Sequence, residues 1–253
     1  MKVAHLVDIY EERKSTFIYN LVRSQPESCV LTTGIEELSD KPYKNIFSLS
    51  NLYFVRRYFE IFTYFAFGKC KSFEKFIKLN YFNVIHAHFG NTALRAISLK
   101  KNCGIPLVTS FYGSDVGFYP QKHKDCYNEL VSLSDLNLVL SNDMKKDLER
   151  LGFPSEKIII HHIGVNVDEY GKNARIFSSP DKNINILTIA RFVQKKGLKY
   201  ALQAMAELVK RYPSIRYRIM GYGSQKEELI SLIKELGLES HVKIISNVES
   251  EQS

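Results

Sequence analysis

The 253-residue chain lacks any run of about 18 uninterrupted apolar residues, so no membrane-spanning helix is expected. Its first apolar run, Val3-Ala4-His5-Leu6-Val7, is too short for a signal peptide. Cysteine is scarce. Cys29, Cys70, Cys103 and Cys126 stand far apart with no C-x-x-C pair, which argues against a disulfide framework or a cysteine zinc site and suits a reducing cytosol. No D-x-D sequence occurs, which removes one common way to hold a divalent ion against a diphosphate. Acids are the minority charge, 27 against 35 basic residues, and the net +8 favours anionic partners without naming one. A composition of 45% hydrophobic and 25% charged residues excludes wholesale disorder.

Short apolar runs alternate with helical patterns. Val3–Val7, Val30–Thr33 (ended by Gly34), Val84–His88, Pro106–Ser110, Leu136–Leu140 and Ile158–Ile160 read as strands. Between them, Ser15-Thr16 precede a helix with Ile18, Leu21 and Val22 on one face, and Gly104 stops another helix that carries Leu94 and Ile97. Ser141-Asn142 cap a helix that ends before Gly152. The order then restarts with strands at 186–190, 217–220 and 242–245, and Gly237 closes the last helix. Strand–helix alternation with nearly all-apolar strands predicts parallel sheets covered on both faces. The fold class is therefore α/β, in two Rossmann-like domains. Residues 1–168 form the first, a polar stretch 169–185 is the linker, and 186–253 form part of the second.

Chemistry-bearing residues gather at strand ends. Arg191 follows a strand, and Lys196 comes five residues later, before Gly197 opens a helix. Open α/β sheets bind ligands at the carboxyl ends of their strands, and two cations there suit a phosphate. An ordinary basic loop fits equally well. Gly221-Tyr222-Gly223 joins a strand to a helix, either to let a phosphate approach backbone N–H groups or merely as a tight turn. The third glycine and the ribose-binding acid of a nicotinamide fingerprint are missing, which argues against an oxidoreductase. His86 and His88 alternate on one strand and face the same way, but no carboxylate or cysteine stands near them, so no metal is expected. His88 and Gly90 are placed on the rim of a cleft, together with Tyr112 and Asp115.

Taken in order, Ser15-Thr16-Phe17-Ile18, His86-Ala87-His88-Phe89-Gly90, Phe111 through Asp115, Gly152 through Ile158, Gly164-Val165-Asn166, Arg191 through Gly197 and Gly221-Tyr222-Gly223 resemble a family 4 glycosyltransferase of the GT-B type. The first two are similar to the branch that builds bacterial exopolysaccharide, colanic acid and lipopolysaccharide. The resemblance implies a retaining transfer of a hexose from a nucleotide-diphosphate sugar to a glycan or lipid-linked acceptor. It implies that Arg191 and Lys196 hold the donor diphosphate without a metal, and that Gly221 and Gly223 let the donor approach. Ser15, Thr16, His88 and Gly90 fall on the acceptor side, and Tyr112 and Asp115 near the transferred sugar. The residue matching Tyr112 is usually His in the family. No cofactor is implied, because the nucleotide sugar is a substrate. The chain ends at Ser253, ahead of the place where the family carries its Glu-x7-Glu motif, so the expectation is a fragment, inactive alone. The alternative is a non-catalytic nucleotide-sugar-binding or partner protein.

Residues 52–82 hold twelve aromatics and six cations, among them Arg56, Arg57, Lys69 and Lys71, against two acids. Such a basic amphipathic stretch suits a membrane interface and an enzyme with a lipid-linked acceptor. The helical spacing of Phe54, Tyr58 and Phe62 suits a buried core equally. Nucleic acid could use the same mixture, but nothing else points to it, so no nucleic-acid partner is expected. The expected location is cytoplasmic, peripheral on the inner face of the cell membrane.

Overall fold

The computed structural model describes residues 1–12, 15–165, 167 and 184–246. The chain divides into two compact units, Met1–Lys172 and Asn173–Ser253. The expected linker, 169–185, lies outside the described residues apart from 184 and 185.

The first unit is built on seven parallel strands: β1 (Val3–Glu11), β2 (Ser28–Glu36), β3 (Ile46–Ser48), β4 (Val84–His88), β5 (Leu107–Ser110), β6 (Leu136–Val139) and β7 (Ile158–Ile160). Their order is β3-β2-β1-β4-β5-β6-β7. The chain winds outward in one direction from β1 and in the other from β4, so the carboxyl ends of these two flank the crevice where such sheets take ligands. Gly34, read as a strand end, lies inside β2, where its N–H donates to Thr32 Oγ1 (3.3 Å). The connections carry α1 (Thr16–Arg23), α2 (Phe54–Phe67), α3 (Lys71–Leu79), α4 (Gly90–Cys103), three short turns of helix α5 (Ser114–Gly117), α6 (Tyr119–Lys122) and α7 (Asn128–Leu133), and α8 (Asn142–Arg150). Ser141 caps α8 by accepting from the Met144 N–H at 3.2 Å.

Alternation along β1 sorts the core. Ala4 and Leu6 join Leu31, Ile85, Phe73, Leu99 and Phe111 on one face. Val7 joins Ile18, Val22 and Val30 beneath α1 on the other. Among the described residues, the expectation of two covered faces fails beyond β1. On the α1 side, β4, β5 and β6 border an open groove of about 1010 Å³, whose lining includes Val84, His86, Val108, Ser110, Leu138 and Phe17.

The second unit has β8 (Asn185–Ile189), β9 (Arg216–Met220) and β10 (Val242–Ile245), parallel in the order β10-β9-β8, with α9 (Leu198–Arg211) and α10 (Lys226–Glu235). Leu202 and Met205 of α9 and Leu229 and Ile233 of α10 pack with Tyr217 and Ile219 in one core. Both helices therefore cover the same face. Among the described residues the opposite face leaves Leu187 and Ile189 exposed, so here too the sheet is covered on one side only.

Candidate functional site

The carboxyl edge of β4 and β5 gathers the polar residues of the first unit. β4 ends at His88, and Phe89 turns the chain into α4 with φ 74 and ψ 143. That conformation belongs almost to glycine alone and costs about 1–3 kcal/mol in an aromatic residue. It is held by the Phe89 N–H, which donates to Ser110 O at 2.8 Å, and by the ring, which packs on Tyr112 with centroids 4.9 Å apart. Phe17 meets the same Tyr112 ring at 4.6 Å.

Behind Tyr112 lies a chain of buried imidazoles. His5 and His86 are register partners on β1 and β4, and the pleat brings His88 to the same face. The ring centroids of His86 and His88 are 4.5 Å apart, and those of His5 and His88 are 5.2 Å apart. Burial pushes the His5 pKa down to about 4 and that of His86 to about 3, the latter helped by His5 and His161. His88 is held well below its ordinary value by burial and by its two imidazole neighbours. All three are neutral at pH 7, so each carries a single ring N–H. Gln25 Oε1 lies 2.9 Å from His5 Nε2, His5 Nδ1 lies 3.0 Å from His88 Nε2, and His88 Nδ1 lies 2.7 Å from the Tyr112 hydroxyl. With the amide of Gln25 assigned so that its oxygen faces His5, the direction of the chain is forced. His5 donates to Gln25, His88 donates to His5, and Tyr112 donates to His88. The Tyr112 proton is therefore committed inward, and the residue itself lines the groove.

The sequence offered no third partner for His86 and His88, yet β1 supplies His5, and one ligand nitrogen from each of the three lies within 4.8 Å of the others. Every ring nitrogen of His5 and His88 is taken by a hydrogen bond, and His86 Nε2 meets Ser110 Oγ at 2.7 Å. His5 and His88 are thus linked in a hydrogen-bond chain, and His86 stacks beside it while paired to Ser110. His5 and Gln25 were missed in the sequence. The only signal for His5 was a polar residue in the middle of an apolar strand.

Asp115 is a buried organiser. Its carboxylate accepts from the N–H groups of Gly90 (3.1 Å), Tyr112 (3.0 Å) and Gly113 (2.8 Å), tying the ends of β4 and β5 together. Burial raises its pKa, against the pull of these backbone donors. His88 and Gly90, expected on an open rim, are also buried. A Cβ on Gly90 would lie 2.4 Å from the Tyr127 hydroxyl, so the close approach of α4 to that ring leaves it no exposed face. Asp115→Ala strands one buried and two half-buried backbone donors, and we expect it to destabilise the first unit by about 3 kcal/mol, read by urea unfolding. A loss below about 1 kcal/mol would show that water replaces the carboxylate.

Ser15 precedes α1 without a side-chain capping bond, and Thr16 is exposed. They enter the neighbourhood of Tyr112 through Phe17.

In the second unit, Ile189 of β8 is in register with Met220 of β9, so Arg191 and the turn Gly221-Tyr222-Gly223 leave the same sheet edge. Arg191 and Lys196 are exposed, and no ion pair ties either among the described residues. The glycines lie against the chain's own backbone. A Cβ on Gly221 (φ 148) would sit 2.0 Å from Ala190 O, and one on Gly223 (φ 152) 2.4 Å from Phe192 O. Close backbone packing alone therefore accounts for both glycines.

Residues 15–169 match the profile described as Glycosyltransferase Family 4, and residues 170–253 match Glycosyl transferases group 1. The chain is 30% identical over 166 residues to the putative colanic acid biosynthesis glycosyltransferase WcaL of Escherichia coli K12, covering 64% of this chain and 40% of that protein. It is 29% identical over 167 residues to the amylovoran biosynthesis glycosyltransferase AmsK of Erwinia amylovora, with the same coverages of 64% and 40%. The match thus spans about 40% of the length of these relatives. Among solved structures, Anabaena HepE in complex with UDP aligns with a TM-score of 0.69 at 13% identity, over 99% of this chain and 70% of that one. The lipopolysaccharide outer core galactosyltransferase WaaB aligns at 0.64 and 17% identity, over 100% and 70%. At such identities the likeness is one of fold, the GT-B fold of two parallel-sheet units. On the match over residues 15–169, the chain belongs to glycosyltransferase family 4.

Proposed function

We propose that this chain serves a retaining glycosyltransferase that moves a hexose from a nucleotide-diphosphate sugar to a glycan or lipid-linked acceptor, in bacterial surface polysaccharide synthesis. Family membership supports the reaction class, and the names of WcaL and AmsK support the polysaccharide setting. HepE has been crystallised with UDP and with UDP-glucose, which supports a nucleotide-sugar donor. The reading rests most on one observation: two exposed cations, free of ion pairs among the described residues, follow β8 on the edge that also carries the Gly221–Gly223 turn.

In this reading Arg191 and Lys196 clamp the donor diphosphate and stabilise the charge that develops on the leaving nucleotide, with no metal assigned. Tyr112, which lines the groove, takes a hydrogen bond from a sugar hydroxyl on its oxygen. Asp115 and Gly90 set the loop that carries Tyr112, His88 holds the Tyr112 hydroxyl from behind, and Ser15 and Thr16 complete the acceptor side. The protein works at the inner face of the cell membrane as a peripheral protein. No helix among the described residues is long and apolar enough to cross a membrane.

Calorimetric titration of the chain with a panel of nucleoside diphosphates and their sugars tests the donor site. Arg191→Ala with Lys196→Ala is expected to weaken binding by about 10- to 100-fold, because two charge-assisted contacts are lost. Unchanged affinity in the double variant would remove both residues from the donor site.

A further inference from the structure

The helix α2 is inside out. At 100° per residue, Phe54, Val55, Tyr58, Phe59, Phe62 and Phe65 form one continuous stripe, and all six are exposed, Val55 by 81% and Phe59 and Phe62 by 63% each. The buried residues of the helix are Glu60 and Tyr64, on the opposite side. A helix at the surface of a water-soluble protein does the reverse.

Polar contacts hold it in this orientation. Glu60 accepts from the Ser72 hydroxyl at 2.9 Å, and Arg56 donates to the same hydroxyl at 3.0 Å. Tyr64 donates to Asp8 at 3.0 Å, and Asp8 is ion-paired with Arg95 of α4. Eight of the twelve aromatics in 52–82 are exposed, so the core alternative fails for most of them.

We propose that this stripe lies in the interfacial plane of an anionic lipid bilayer and holds the protein there. Fourteen residues make a helix about 21 Å long, too short to span and suited to lying flat. The neighbouring surface is basic. Lys69 precedes α3, and Lys71, Lys75 and Lys78 recur on one face of α3, all exposed. Arg56 is exposed as well while it donates to Ser72, whereas Arg57 is half-buried, so the lysines supply most of the exposed charge. A second copy of the chain is the poorer occupant. Across a two-fold interface the same lysines would face one another. The proposal extends the reading of a lipid-linked acceptor, but vesicle binding reports on the α2–α3 surface and not on sugar transfer, so its failure leaves the transferase reading standing.

The test is co-sedimentation of the chain with phosphatidylcholine vesicles, with and without phosphatidylglycerol. Binding is expected to need the anionic lipid. Phe59→Ser with Phe62→Ser should lower the partition coefficient by about tenfold or more, at unchanged far-UV circular dichroism. Lys71→Glu with Lys75→Glu should lower binding to the anionic vesicles. If the serine pair disturbs the fold, Phe59→Trp gives a single tryptophan in a chain that has none, and its emission should shift to the blue on vesicle addition. Three results overturn the proposal: no sedimentation with anionic vesicles, a serine variant that partitions as the wild type does, or no emission shift. A dimer that the serine pair converts to monomer, without vesicle binding, would assign the stripe to a second copy instead.

Discussion

Lowering the pH from 7 to 5 is expected to cost the first unit several kcal/mol of stability, well above the range where ordinary carboxylates protonate. The cause is the imidazole chain. Once unfolded, His5, His86 and His88 take up protons near the free value of about 6.5, while in the fold burial keeps them neutral down to about 4 for His5 and about 3 for His86. Between those limits the unfolded state binds more protons, so stability is full above pH about 6.5 and falls as the pH drops toward the native values. Each histidine adds a slope of up to about 1.4 kcal/mol per pH unit. Urea unfolding followed by circular dichroism across pH 5–7 reads the slope directly. His86→Leu should reduce it by about a third, because one of three neutral imidazoles is gone. A flat profile in this window would mean that the three sites protonate without unfolding the chain.

The second large effect lies in the second unit. Gly221→Ala and Gly223→Ala each drive a Cβ into a backbone carbonyl, Ala190 O in one case and Phe192 O in the other. The Phe192 carbonyl is held by the Gln225 N–H, which donates to it at 3.0 Å, and the backbone on either side of the Ala190 carbonyl is pinned by the Ala190 N–H donating to Met220 O at 3.0 Å and the Phe192 N–H donating to Tyr222 O at 2.7 Å. With a left-handed φ added to the clash, each alanine is expected to cost about 3 kcal/mol or more. Gly34→Ala is the control. Nothing lies within 4 Å of its added Cβ, and alanine suits a strand interior better than glycine, so stability should hold or rise by about 0.5 kcal/mol. Thermal unfolding of the three variants separates the cases. Equal midpoints for Gly34→Ala and Gly221→Ala would refute the packing account.

Most strands could be placed from short apolar runs alone, and Val84–His88 and Val242–Ile245 match residue for residue. Those runs are legible because the strands of a parallel sheet are rich in apolar residues, even where one face is open. The sequence reading missed β3 and took Gly34 for a strand end. A three-residue edge strand and a glycine inside a strand both run against the propensities on which such a reading relies. Tyr112 and Asp115 were visible as polar residues past a strand. Their work was not: Asp115 is spent on backbone donors, and the Tyr112 proton points inward.

The sequence by itself determined the alternation of strands and helices, the break between two such runs, and the family. Periodicity and motif order are local, and they survive without coordinates. The tertiary structure decided which residues meet. Only the β1–β4 register brings His5 beside His86, 81 positions apart in the chain. Only the packing of α2 shows that its aromatics face outward, because the wheel defines a stripe but not the side to which the fold turns it. Burial belongs to the assembled chain, and it makes the histidines neutral, closes His88 and Gly90 off from solvent, and leaves Arg191 and Lys196 open to it.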